Sequence, residues 1–167
     1  MDVRTTDLLM SDVLESIPAL RGYARALTRN HHDADDLVQD TLTKALANFH
    51  RFEPGTRLRA WLFTIMRNTF FNQAQRRRRE TTGVGDCVSG EVTVEASQET
   101  VIYYNEVMAM VQRLPVQFRE MLILVVMLGE RYEDAAVICN CAVGTVKSRV
   151  NRAKQMVSEM LARQGPE

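Results

Sequence analysis

Apolar side chains recur at helical spacing along nearly the whole chain, and that single periodicity leaves little room for anything but an all-α fold. In the first fifty residues Leu9, Val13, Leu14, Ile17, Leu20, Ala24 and Leu27 make one stripe, and Ala34, Val38, Leu42, Ala45 and Phe49 make a second. Between them, Asn30 to Asp33 supply N-cap candidates. A loop from Phe49 to Arg57, containing Pro54 and Gly55, then leads into a long helical pattern from Leu58 to Arg79.

The pattern fails once. From Thr81 to Ala96 the composition turns to Thr, Gly, Val, Ser and Glu, with three glycines and no helical period, which reads as a flexible linker. Helical patterns resume near Ser97 and restart at Leu114-Pro115, where proline is tolerated in a first helical turn. They continue over about 132–139 and 143–161. The expected architecture is two small helical domains, 1–80 and 97–167, joined by a linker over 81–96.

Charge divides along the same lines. The formal net charge is zero, but residues 1–50 carry 5 basic and 8 acidic side chains, 51–79 carry 8 and 1, 80–134 carry 3 and 10, and 135–167 carry 5 and 2. Two separated basic segments can grip a polyanion while the acidic ones face a basic protein surface. No apolar stretch approaches the roughly 20 residues that span a bilayer, and Asp2, Arg4 and Asp7 open the chain where a leader would need a basic and then an apolar segment. A cytoplasmic protein without a membrane partner is expected. Cys87, Cys139 and Cys141 cannot all pair with one another and read as reduced thiols. Cys139 and Cys141, even with His31 and His32, lack zinc-ligand spacing, and no nucleophile triad, phosphate-cradling loop or carboxylate pair stands out. Neither a metal, a cofactor nor an enzymatic activity is expected.

The stretch from Tyr132 to Arg152 reads as helix, tight turn, helix, with Asn140 at the position that needs a left-handed residue. On its second helix Val146, Val150, Ala153 and Val157 share an inward face. The opposite side collects Thr145, Ser148, Arg149, Arg152 and Gln155, hydroxyls and long donors suited to base edges and phosphates in a major groove.

Gly144-Thr-Val-Lys-Ser-Arg-Val150, with Leu114-Pro115, Phe118-Arg119-Glu120 and Tyr132-Glu133-Asp134-Ala135-Ala136 before it, closely resembles region 4 of the extracytoplasmic-function (ECF) sigma factors. That resemblance puts Thr145, Lys147, Ser148, Arg149 and Arg152 on a helix that contacts the −35 promoter element. The sequence departs from the common pattern at Arg131, often a capping serine, at Asn140, usually glycine, and at Ala142, frequently proline.

Asp33 to Leu46 looks like the polymerase-binding helix of sigma region 2. Carboxylates in a first helical turn are favoured by about 0.3–1 kcal/mol each, which accounts for Asp33 to Asp36, but Asp40 lies two turns in. The resemblance makes Asp36, Gln39 and Asp40 contacts to the clamp of the beta-prime subunit of core RNA polymerase. Along Leu58 to Arg79, the side chains of Leu62, Phe63, Met66 and Phe70 form a core side. Trp61, Asn68, Asn72 and Gln75 fall on the other, running toward Arg76, Arg77, Arg78 and Arg79. This array suits a partly melted −10 element, although Trp61 fits a core position equally well. In the family, the loop before this helix receives a flipped base.

Tyr23-Ala-Arg-Ala-Leu27, Phe52-Glu-Pro-Gly-Thr56, Arg59 to Ile65 and the run Gln75 to Glu80 look most like the general-stress-response, EcfG-like branch of the family. The branch implies a small helical anti-sigma protein of the NepR type, expected here to wedge between the two domains. A sigma-mimicking module that sequesters such an anti-sigma factor is the competing reading; the mimics tend to lose the acidic and basic helices that this chain keeps.

Overall fold

The computed structural model describes residues 3–28, 30–53, 55–80 and 98–163, with the side chains of 3–9, 78, 80 and 98–105 excepted. The expected linker, Cys87 and the side chain of Arg78 therefore lie outside the described residues. The fold is all-α: α1 (Val3–Thr28), α2 (His31–Ala47), a 3-10 turn (Phe49–Arg51), α3 (Leu58–Glu80), α4 (Gln98–Arg113), α5 (Val116–Leu122), a π turn (Ile123–Met127), α6 (Tyr132–Cys139) and α7 (Val143–Ala162).

Local chemistry explains where these helices stop and start. α1 runs straight through Pro18, because the stripe Leu20, Tyr23, Ala24 and Leu27 is buried and its packing offsets the roughly 3 kcal/mol that an interior proline costs. Asn30 caps α2 reciprocally: its Oδ1 accepts from the Asp33 amide at 2.7 Å, and its Nδ2 donates to Asp33 Oδ2 at 2.7 Å. Arg119 is 3% exposed and turns the corner between α4 and α5, its Nη1 donating to the carbonyls of Gln112 and Leu114 at 3.1 and 3.2 Å. At Arg131, where a capping oxygen is missing, no side chain caps α6. Asn140 adopts φ 49° and ψ 56°, the left-handed stop that separates α6 from α7.

Helices α1 to α3 form one half and α4 to α7 the other, and the two share a single continuous core. Leu20, Tyr23, Leu62, Phe63 and Met66 belong to the same buried cluster as Leu114, Met121, Leu124, Ile138 and Val146. α3 packs on α6 and α1 on α5. Gly22 of α1 faces the Leu128 side chain across the seam, where an added Cβ would stand at 3.5 Å, an ordinary van der Waals contact. The halves thus meet face to face, and the gap expected to receive a wedged partner is filled by packed side chains.

Candidate nucleic-acid and polymerase interface

Helix α7 buries Val146, Val150 and Ala153 completely, so its other faces are offered outward. Thr145, Ser148, Arg149 and Arg152 lie at i, i+3, i+4 and i+7 on one flank. Ser148 and Arg152 are exposed, while Thr145 and Arg149 are half-buried at the edge of the core. The Ser148 hydroxyl donates to the Thr145 carbonyl at 3.0 Å, leaving its lone pairs outward. Lys147 is exposed but sits about 200° around the helix from Thr145, on the opposite flank. Asn151 and Gln155, also exposed, complete the outward face; Asn151 went unread in the sequence because neither charge nor periodicity distinguishes it. No acidic residue of α7 precedes Glu159.

On α3 the core side is Leu62, Phe63 and Met66, all fully buried, while Phe70 is only half-buried and meets Phe71 edge-on at 5.2 Å. Asn68, Asn72, Gln75, Arg76, Arg77 and Arg79 are exposed. Trp61 is neither a core residue nor a free one. Half-buried, it packs against Phe52 at 5.4 Å and Phe49 at 6.2 Å, and so pins the Phe49–Arg57 loop to the start of the helix. This aromatic cluster rigidifies the loop at its base.

The acidic face of α2 lies beside the same helix. Asp36, Gln39 and Asp40 are exposed. Gln73 Nε2 of α3 donates to Asp40 Oδ2 at 2.6 Å, and Arg77 Nη1 stands 3.9 Å from Asp33 Oδ2. Asp36 meets His32 Nδ1 at 3.2 Å, with both side chains largely exposed. Between the helices runs an open groove of about 510 Å³, lined by Asp36, Gln39, Asp40, Gln73 and Arg77 over an apolar floor of Leu27 and Phe70. The two surfaces read separately from the sequence are therefore neighbours.

Arg57, just before α3, and Arg59 and Arg67 within it face the other way. Arg57 pairs with Asp134, and Arg59 Nε stands 2.6 Å from Glu130 Oε1 while its Nη2 donates to the Leu128 carbonyl at 2.7 Å. Arg67 donates to both carboxylate oxygens of Glu120, at 3.0 and 3.2 Å. Burial would pull the Arg67 guanidinium down, but its hydrogen bond and attraction to Glu120 outweigh that and raise it. Burial pushes the Tyr23 phenol up, with the nearby Glu120 charge adding to it. Burial likewise pushes the Cys139 thiol up to about 12, which keeps it an unreactive core residue.

Residues 13–67 match the family described as the Sigma2 domain of PhyR, and residues 104–157 match Sigma-70, region 4. The ECF RNA polymerase sigma factor EcfG of Rhodopseudomonas palustris is 46% identical over 97% of this chain and 90% of its own length. The sigma factor RpoE of Bartonella quintana, solved in complex with the anti-sigma factor NepR, is 42% identical, with a TM-score of 0.81 over 92% of this chain and 96% of that one. The anti-anti-sigma factor PhyR of the same organism, solved with NepR, is 18% identical, with a TM-score of 0.59; the match covers 91% of this chain and 50% of PhyR, and shows the fold alone. On its near full-length identity to EcfG, with both sigma regions in place, the chain belongs to the extracytoplasmic-function family of RNA polymerase sigma factors.

Proposed function

We propose that the chain initiates transcription through three surfaces acting together. Asp36, Gln39 and Asp40 of α2 bind the clamp of the beta-prime subunit. Trp61, Asn68, Asn72, Gln75 and Arg76 to Arg79 hold the opened −10 element. Thr145, Ser148, Arg149 and Arg152 read the −35 element in the major groove, with Lys147 flanking them toward the phosphates. The boundaries that go with these roles are 1–80 for the first domain and 97–167 for the second. The observation that carries the reading is that Asp36, Gln39 and Asp40 of α2, Asn68, Asn72, Gln75, Arg76, Arg77 and Arg79 of α3, and Ser148 and Arg152 of α7 are exposed while the core faces of those helices are buried. No helix among the described residues is long and apolar enough to cross a membrane, which suits work on the chromosome in the cytoplasm.

The relation to RpoE, solved with NepR, supports an anti-sigma factor of that type as the regulator, and with it a stress-response regulon. Since the seam between the halves is packed, such a protein covers outer surfaces of the closed chain, where Leu14, Leu46, Val126 and Met127 are exposed apolar side chains. The sequestering-module reading is weaker: residues 13–67 do match the Sigma2 domain of PhyR, but the full-length relative at 46% identity over 97% of this chain is a sigma factor. Footprinting of the reconstituted holoenzyme tests the assignment: protection is expected at both promoter elements, and Arg149→Ala should remove it at −35 alone.

A further inference from the structure

Each acidic side chain that the second half buries at the seam is answered by an arginine of α3 or by Arg57, the residue just before it. Glu120, Glu130 and Asp134 have side chains 1%, 4% and 13% exposed, and they pair with Arg67, Arg59 and Arg57 respectively. A carboxylate taken out of water without a counter-charge is strongly unfavourable, so these acids depend on the arginines across the seam, Asp134 having also Arg131 of its own half at 3.7 Å. The paired residues lie 53 to 77 positions apart in sequence, and they tie α3 and the residue just before it to α5, to Glu130 and to α6.

Closure also fixes how far apart the DNA-facing helices can be. A compact chain of this length has a radius of gyration of roughly 15 Å, hence a diameter of about 40 Å. Elements centred near −10 and −35 are separated by roughly 25 base pairs, or about 85 Å at 3.4 Å per step. A closed chain cannot reach both.

We propose that Arg57, Arg59 and Arg67 with Asp134, Glu130 and Glu120 form an intramolecular latch that holds the free chain closed, and that this latch must open before α3 and α7 engage their separate elements. The inference rests on the promoter-binding reading above. The partner that fits the arginine side of α3 is thus the chain's own second half. The arrangement in the RpoE–NepR complex, which superposes over 92% of this chain, is on this account one that the chain adopts with its own residues; an anti-sigma factor captures it rather than creating it.

Small-angle scattering on the full chain tests the latch directly. Wild type should give a radius of gyration near 15 Å, whereas an open chain with its halves apart should give roughly 25 Å. The double variant Arg57→Glu/Arg59→Glu should expand toward the open value, and adding Glu130→Arg/Asp134→Arg should close it again. Circular dichroism checks that the helices persist, and Arg57→Gln/Arg59→Gln carries the same test if charge reversal disturbs folding. A wild type already extended, or folded variants as compact as wild type, would overturn the latch. Transcription with core polymerase separates the two readings. A chain that initiates but never changes dimension refutes only the latch, and one whose dimension changes but which never initiates refutes only the promoter reading.

Discussion

Arg67 of α3 and Glu120 of α5 form a two-pronged hydrogen-bonded pair, with Nε to Oε2 at 3.0 Å and Nη2 to Oε1 at 3.2 Å, at the centre of the seam between the two halves. The guanidinium also stacks over Phe71 at 4.6 Å, and Glu120 is 1% exposed. A pair this dry gives little net stability over an apolar replacement, but removing one member strands the other.

Arg67→Ala should therefore cost about 3–5 kcal/mol in denaturant unfolding, and Glu120→Ala a similar amount. The double variant Arg67→Met/Glu120→Leu should recover most of it. Single losses below about 1 kcal/mol would mean that water reaches the pair.

Glu130 sets a pH dependence with a definite sign. Burial raises its carboxyl above the ordinary range more than Arg59 and Arg57 pull it down. A folded-state value raised in this way contributes stability in full below the ordinary glutamate range, and that contribution is lost as pH rises through the folded value. Glu130→Gln, which keeps an oxygen for Arg59 and never ionises, should gain stability relative to wild type as pH rises from about 4 to about 7. A relative loss over that interval, read from denaturant midpoints, would show that Glu130 gains from ionising.

Asn140 occupies the left-handed region that glycine enters without cost. Asn140→Gly should leave thermal stability unchanged or slightly raised, whereas Asn140→Ala should lower it by about 1 kcal/mol. Equal stability of the two variants would contradict the turn geometry.

Much of this was legible in the residues. The helical stripes, the Asn30 cap, the Asn140 stop and the buried face of α7 follow from spacing and side-chain type, because they are local. The seam was not. Arg57, Arg59 and Arg67 meet their partners across long sequence separations, and no periodicity links an arginine at 67 to a glutamate at 120. Trp61 was ambiguous for a related reason: its neighbours Phe49 and Phe52 come from a loop whose path depends on the aromatic packing itself. Lys147 belonged to a motif, but helical geometry sets it on the flank away from Arg149 and Arg152.

The two basic helices should respond differently to alanine. Arg149→Ala should change preference among −35 base pairs by about 1–3 kcal/mol, as expected for lost base-edge contact. Arg79→Ala should weaken binding to all sequences and reduce the salt slope by nearly one unit. Binding of both variants across salt and promoter variants checks this; equal, sequence-blind losses would remove Arg149 from base readout.

Asp40 should matter to polymerase more than to folding. Asp40 is exposed and accepts a hydrogen bond from the Gln73 amide at the rim of the groove, so Asp40→Ala should move the melting temperature little. Holoenzyme assembly should weaken. A large loss of stability with normal assembly would make the α2–α3 contact structural.

On this reading α2, α3 and α7 act together to start transcription at chosen promoters. Run-off transcription with purified core polymerase and a library of promoter fragments measures it most directly. Discrete transcripts are expected from a sequence-defined subset, lost with Asp40→Ala and redistributed with Arg149→Ala. Binding to an anti-sigma protein without a transcript from any fragment would contradict it.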